Sequence, residues 1–186
     1  IKGDNTVVQN CILDDNSASD SGGGVYVEGN DCQFTNVTIS NNEADNSGGA
    51  ICVIGNSATF DNITSKDNTA GLFGGSIYVE GDDVTVQNSD LADNSAMFGG
   101  AIVISGNDGQ FLNNTISSNE AMYGGAVYIS GDDCEFSGNQ ISDNYAYDMG
   151  GAIAIEGANS LFTDNNITFN EAGNAGGAVF VQGENT

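Results

Sequence analysis

A pair of adjacent glycines recurs every 25 or 26 residues along this chain of 186 residues, and it constrains the fold more than any other feature. Each pair precedes a short run rich in β-branched residues, and a further glycine closes that run. Internal repeats of roughly 20–50 residues indicate solenoids and other repeat architectures. The pattern covers the whole chain, which predicts one continuous segment over residues 1–186. The pairs are Gly22-Gly23, Gly48-Gly49, Gly74-Gly75, Gly99-Gly100, Gly124-Gly125, Gly150-Gly151 and Gly176-Gly177.

Aligning the repeats places side chains of one kind in rows. Two rows of Val and Ile, two residues apart, follow the glycine pairs, and the first of them runs from Val25 to Val179. β-Branched residues at a period of two are typical of the buried face of a strand. A third row is mostly Phe, from Phe34 to Phe162, and a fourth is Leu or Ile except at Ser65. Each repeat therefore predicts two or three short strands.

An unbroken row of asparagines indicates that the repeats stack as coils. Every repeat carries Asn two residues before Ala, and stacked Asn side chains can hydrogen-bond along such a column. Leucine-rich repeats share this period, but their Leu-rich consensus is absent. The sequence predicts an all-β fold, a parallel β-helix of about seven coils of 25–26 residues and roughly 34 Å in length at the usual strand spacing. The row is Asn16, Asn42, Asn68, Asn94, Asn119, Asn144 and Asn170.

The two ends of the chain fall at the same point of the repeat. Residues 1–6 are in register with residues 181–186, so no atypical repeat closes either end. Solenoids normally carry capping repeats, because open strand edges invite aggregation. We therefore expect uncapped ends, as in a section of a longer repeat protein or a rod that stacks end to end.

Lys2 and Lys66 are the only cationic side chains, against 26 Asp and Glu residues, and the formal net charge is −24. Nucleic acids need a basic face that neutralises phosphate, so this class of partner is excluded. An anionic membrane surface would repel the chain, and no apolar stretch is long enough for insertion into a membrane. The chain also lacks His and Arg, the commonest general base and the usual clamp for carboxylate or phosphate. We therefore expect no enzymatic activity.

Two stretches of the repeat resemble families of surface proteins. The run from Val37 to Ala44, followed by Gly48-Gly49-Ala50-Ile51, resembles the repeats of chlamydial polymorphic outer-membrane proteins. The fuller pattern, from Gly131 to Phe136 and on to Gly150-Gly151-Ala152-Ile153, is similar to that of adhesin-like surface proteins of methanogenic archaea. The resemblance implies a right-handed parallel β-helix on an extracellular cell surface, used for attachment or as a stalk. It brings no catalytic residues, because the repeat motif is structural.

Four cysteines invite a disulfide interpretation, but their positions in the repeat argue against it. Cys32 and Cys134 share a row yet lie four coils apart, roughly 19 Å at the usual strand spacing, which is too far for a bridge. Cys11 and Cys52 occupy two other rows. We expect four small buried thiols.

Asp83, Asp108 and Asp133 occupy one turn row in consecutive coils. Stacked at strand spacing, they resemble the paired carboxylates of retaining glycosidases, which lie roughly 5–5.5 Å apart. Asp is also favoured beside Gly in turns, and Ser57 and Asn159 stand at the same point of other coils. Without Arg or His, catalysis is the weaker alternative. Stacked turn oxygens would suit Ca²⁺, the one cofactor that the sequence suggests.

Four Asn-x-Thr sequons, at Asn36, Asn62, Asn113 and Asn166, could carry N-glycans in an exported protein. The first three belong to a row whose other members lack the sequon, so a ladder of turn residues explains them equally well. The two interpretations stay open at the level of sequence.

One corner of the coil departs from the repeat. The residue before each glycine pair is Ser in the first two coils, but it is aromatic or Met in the four middle coils, and in three of these the residue before it is also apolar. A narrow rod has little interior at a corner, so we expect an exposed apolar strip, and such strips usually mark contact surfaces. The strip is Leu72, Phe73, Met97, Phe98, Met122, Tyr123 and Met149.

These patterns favour an extracellular, adhesin-like rod on the cell surface, which mediates attachment or surface display. Its expected partners are a cell-surface protein or glycan, or further copies of itself stacked end to end or laterally. The alternatives are a subunit of a self-assembling filament or surface layer and, more weakly, a β-helical enzyme that acts on polysaccharides.

Overall fold

Strands of successive repeats pair in parallel, in the register that the repeat predicts. In the computed structural model, which describes residues 1–183, Ile51 pairs with Ile77, and Ile77 pairs with Ile102. Within these residues there is no helix, and the chain forms a β-solenoid of about seven turns. The predicted all-β parallel fold is confirmed.

The described residues contain short strands throughout. In chain order they are β1 (Val7–Gln9), β2 (Ile12–Asp14), β3 (Ser17–Ala18), β4 (Val25–Glu28), β5 (Gln33–Ser40), β6 (Glu43–Ala44), β7 (Ile51–Ile54), β8 (Thr59–Lys66), β9 (Thr69–Ala70), β10 (Ile77–Glu80), β11 (Thr85–Gln87), β12 (Asp90–Ala92), β13 (Ile102–Ser105), β14 (Gln110–Leu112), β15 (Thr115–Ser117), β16 (Glu120–Tyr123), β17 (Val127–Ile129), β18 (Glu135–Ser137), β19 (Gln140–Ser142), β20 (Tyr145–Met149), β21 (Ile153–Ile155), β22 (Leu161–Thr163), β23 (Asn166–Thr168), β24 (Glu171–Ala172) and β25 (Val179–Val181).

The strands form the walls of the solenoid. Sheet 1 contains the seven strands that follow the glycine pairs, in the order β4-β7-β10-β13-β17-β21-β25. Sheet 2 contains twelve strands and runs from β1 and β2 through β5 and β8 to β22 and β23. Two short sheets, β3-β6-β9 and β16-β20-β24, precede the glycine-pair corner. A typical coil therefore passes through sheet 2, a short sheet and the corner before it reaches sheet 1, and in the coil of Ser95 isolated bridges replace the short-sheet strand.

The glycine pair is required by close stacking of the corners. Gly48 has a φ of +60°, in the left-handed region that favours glycine. A Cβ on Gly49 would overlap the carbonyl oxygen of Gly75 in the next coil. The repeated pair therefore reflects backbone approaching backbone, with no room for a side chain.

The predicted Val/Ile, Phe and Leu/Ile rows fill the interior. The Phe row is stacked ring on ring: Phe34 and Phe60 have centroids 5.0 Å apart, and Phe111 and Phe136 are 4.5 Å apart. All four of these rings are fully buried. Stacked aromatic pairs add about 0.5–1.5 kcal/mol each beyond the area they bury.

The Asn row forms the predicted ladder, and the ladder has a direction. The side-chain oxygen of Asn68 accepts the backbone N–H and the side-chain amide of Asn42, at 3.0 and 2.9 Å. Asn94 does the same for Asn68, and Asn119 for Asn94. Buried amides need partners for each polar atom, and here successive coils supply them.

A second buried ladder, which the repeat did not reveal, divides sheet 2 in the later coils. The Asn139 oxygen accepts from the backbone and side chain of Asn114, and Asn165 accepts likewise from Asn139. Where Val37 and Ile63 stand at this position, β5 and β8 run without a break. The amide column thus replaces an apolar row in the later coils, where two separate strands flank each amide.

Candidate functional site

The structure divides the predicted apolar strip into two rows. Leu72, Met97 and Met122 are exposed, at 39%, 44% and 40% of their surface. We call these three residues the methionine row. Met97 and Met122 line a shallow groove of about 320 Å³ together with Tyr147. At its edge the Tyr147 hydroxyl donates to Oε1 of Glu120 at 2.6 Å.

The other members of the strip face a different side of the corner and are half-buried. Phe73, Phe98, Tyr123 and Met149 follow one another in register, and we call these four the aromatic ladder. Phe98 stacks on Phe73 at 5.2 Å and on Tyr123 at 5.1 Å between ring centroids. The expectation of one contiguous exposed strip is therefore wrong, because consecutive residues of an extended chain point to opposite sides.

The aromatic ladder packs against the outer face of sheet 1. Ile102 and Ile104 point into the solenoid core, whereas Val103 between them belongs to a second apolar cluster outside it. Tyr128 and Ala154 lie next to Val103 in the same row and are also buried. The ladder covers these side chains, which makes it part of a packed layer on the outside of the rod.

The sequence carries a signal for this layer in a row that was not among those predicted to be buried. The position between the two Val/Ile rows never holds a charged residue, and strands that are apolar on both faces are typical of burial on both sides. Polar residues would be expected there if sheet 1 faced water. The row is Tyr26, Cys52, Tyr78, Val103, Tyr128, Ala154 and Phe180.

Carboxylates lie beside two tyrosines of this layer. Burial raises the pKa of Tyr128 above its ordinary value, and the Glu156 carboxylate raises it further. A hydrogen bond to Asp148 raises the pKa of Tyr123. The layer is thus apolar in its body and acidic at its margin.

The predicted calcium ligands lie in exposed turns. Asp83, Asp108 and Asp133 have φ angles of 59°, 58° and 59°, in the left-handed region that Asp and Asn tolerate better than most residues. Within residues 1–183, no three acidic or thiol side chains are grouped so that they could hold a metal ion. Turn geometry accounts for the aspartates of this row, and Ca²⁺ binding there remains a prediction.

The acidic residues beside that row have a structural role. Asp82 accepts the backbone N–H of Asn107 at 2.8 Å, and Asp132 accepts that of Ala158 at 2.7 Å. Asn56 accepts the N–H of Asp82 in the same way. Asp and Asn therefore alternate freely here, because either side chain offers the oxygen that the next coil needs.

All four sequon asparagines are exposed. The Asn62 side chain donates to the Asn36 side-chain oxygen at 2.7 Å, and Asn36 donates to Asn10 at 3.2 Å. This confirms the turn ladder in the first three coils, and Asn113, in the same row, has a similar left-handed backbone with a φ of 56°. Asn166 instead lies in β23. Glycosylation of the four remains a prediction.

The cysteines are free, and three of them are buried. Cys11 is exposed, so the expectation of four buried thiols is wrong at this position. Val37 and Ile63, in the same row, are buried because coils pack on both sides of them. Cys11 lies in the first coil, which pairs on one side only.

A model of the Chlamydia polymorphic membrane protein (Chlamydia_PMP) repeat matches residues 36–54. The matched stretch runs from within β5 through the glycine-pair corner to the end of β7, and it covers 19 of the 186 residues. Comparison with curated proteins and with solved structures gives no significant match. Residues 1–183 contain no helix with the length and apolarity that crossing a membrane requires.

Proposed function

We propose that the chain is part of an extracellular, adhesin-like rod on a cell surface, which attaches the cell to a partner. The observation that carries this proposal is the aromatic ladder, an ordered apolar row half-exposed on the outside of a strongly acidic solenoid. The match to a polymorphic membrane protein repeat supports it, since that family is associated with surface proteins. The likeness to archaeal adhesin-like proteins points the same way.

The solenoid suits this role because it fixes the spacing of the ladder. Backbone pairing and the Asn ladder set the positions of successive coils, so Phe73, Phe98 and Tyr123 are held about one strand spacing apart. The first two coils have Ser21 and Ser47 at the same position. The apolar contact surface is thus confined to the middle coils, where a partner would meet it.

Bead attachment tests this proposal. Beads coated with the parent chain are expected to attach to a panel of cultured cells, and beads coated with Phe98→Ser/Tyr123→Ser are expected to lose most of that attachment. Serine is the residue that the first coils use, so circular dichroism should show an intact fold. The control is Leu161→Ser/Phe169→Ser, which removes two apolar side chains that are 54% and 84% exposed away from the ladder.

Equal attachment by the ladder variant and the parent would overturn the adhesive role of the ladder. Parent beads that clump without cells would instead support the filament or surface-layer alternative. Release of reducing ends from polysaccharides, lost when Asp108 is replaced by Asn, would support the enzymatic alternative.

A further inference from the structure

A groove of about 310 Å³ lies between the aromatic ladder and the outer face of sheet 1. The residues that line it include Phe98, Tyr123, Tyr128, Met149 and Glu156. Phe98 meets Tyr128 edge to face, with centroids 5.1 Å apart. Tyr123 is the last ring of the ladder, with Phe98 before it and Met149 after it in register. The groove therefore combines ordered aromatic walls with a negative charge.

That charge has no cationic partner within the described part of the chain. Lys2 pairs with Glu28 and Lys66 with Asp93, both away from the groove. Glu156 also lines a second, more polar groove next to the first, together with Asp132. Burial is the main cause of the raised pKa of Tyr128, and the neighbouring Glu156 carboxylate raises it further by its hydrogen bond and its negative field. A ligand that brings positive charge would relieve this field.

We propose that this groove is the anchor site for an arginine side chain of a basic partner polypeptide. The inference rests on the proposed function, because that partner is what the rod would attach to. A planar guanidinium stacks on aromatic faces and pairs with a carboxylate through two parallel hydrogen bonds. Its aliphatic stem packs on apolar walls such as Met149 and the tyrosine rings. Tyr123 and Glu156 supply these two kinds of contact in one groove.

Charge favours this occupant over others. A net charge of −24 disfavours an anionic ligand and also a second copy of this chain, because each brings like charge to an acidic margin. A neutral glycan would gain from the rings but would leave Glu156 uncompensated. An arginine satisfies the rings and the carboxylate together.

Titration of the ¹³C-tyrosine-labelled chain with N-acetyl-arginine amide, followed by NMR, tests the proposal. We expect saturable shifts of the Tyr123 and Tyr128 signals and none at Tyr26. Glu156→Gln should weaken binding about fivefold or more, whereas Glu171→Gln, an equal loss of charge at an exposed site outside the groove, should leave it within about twofold. Tyr123→Leu keeps an apolar side chain but removes the aromatic ring, and it should weaken binding roughly twofold to thirtyfold.

The titration is repeated in 500 mM NaCl, where ion pairing is screened and binding should weaken. Thermal melting checks that each variant is folded. Absence of saturable shifts, equal affinities of Glu156→Gln and Glu171→Gln, or tighter binding of N-acetyl-lysine amide would overturn the proposal. Saturable, salt-independent shifts with maltose in place of arginine would overturn it in favour of a glycan.

The bead assay separates this proposal from the proposed function. Beads that attach through the ladder although arginine does not bind would leave the adhesive rod standing and remove the arginine site. Arginine binding by a chain whose beads attach to no surface would retain the site and remove the adhesive role.

Discussion

The hydroxyl oxygens of Ser65 and Ser76 lie 2.5 Å apart inside the solenoid, where each residue replaces an apolar member of its row. In the preceding coil, Ile39 stands at the position of Ser65 and Ala50 at the position of Ser76. Ser65 also accepts a hydrogen bond from the Asn68 side chain at 3.0 Å, which joins the pair to the Asn ladder. Two separate exceptions in the sequence are therefore one buried polar pair.

Replacing one serine of this pair should lower the free energy of unfolding by more than half of what replacing both serines does. Ser65→Ala or Ser76→Ala leaves a buried hydroxyl without its partner, so each should lower the free energy of unfolding by about 1–3 kcal/mol. The double variant should lose less than the sum, and urea unfolding of all four proteins measures the coupling. Strict additivity would show that the two hydroxyls act independently.

The Asn ladder should make a large contribution to stability. Asn94→Ala removes the oxygen that accepts from Asn68 and the amide that donates to Asn119, both buried, so we expect a loss of about 2–5 kcal/mol in urea unfolding. Asn62→Gly removes an exposed amide of the turn ladder and keeps its left-handed backbone accessible, so its effect should stay below about 1 kcal/mol. Similar losses from the two variants would contradict a special role for burial.

Salt should stabilise the rod. Its 26 acidic residues repel one another across stacked coils, and added ions screen this repulsion, so the melting temperature should rise with NaCl. CaCl₂ should raise the melting temperature at millimolar concentrations, and the effect should not saturate at lower concentrations. A melting temperature that does not change with NaCl would contradict the first expectation. Saturation at micromolar Ca²⁺, abolished by Asp108→Asn, would contradict the second and support a Ca²⁺ site on the Asp83, Asp108 and Asp133 row.

Alkaline pH should loosen the outer layer through Tyr128. Its pKa is raised above the ordinary value of 10.0, so the folded state favours the neutral phenol. The stability from this group is fully present below about pH 10 and is lost as pH rises towards the folded-state pKa. Urea unfolding from pH 8 to 11.5 should therefore show a decline that is shallower in Tyr128→Phe. Tyr145→Phe, outside the layer, is the control, and equal slopes for the two variants would contradict the assignment.

The repeat alone predicts most of the fold. Rows such as Val25 to Val179 become strand registers because each coil has a period of 25 or 26 residues and one buried face per strand. The second ladder at Asn114 and Asn139 escaped prediction because it exists in the later coils only. A row that changes from apolar to amide along the stack does not stand out as a repeat.

The candidate site is predicted less well than the fold. The repeat period fixes which residues stack on one another, but it does not fix the side to which the glycine-pair corner turns. Phe98 and Met97 are adjacent in sequence, yet Phe98 packs on Tyr128 and Met97 faces the shallow groove beside Tyr147. Burial of Tyr128 depends on the corner folding back over sheet 1, a tertiary relationship that no row contains. The sequence shows that the outward-facing row of sheet 1 is apolar, but only the aromatic ladder that packs on this row explains its composition.

The stacking of coils along the rod has a mechanical consequence. Strands lie across the rod, so tension applied along its axis loads the interfaces between coils in series, and the weakest interface yields first. Each coil that peels away releases about 25 residues, or roughly 80 Å of extended chain, while the amides of the remaining coils keep their partners. A tether built in this way lengthens in steps under load and dissipates energy each time a coil unfolds.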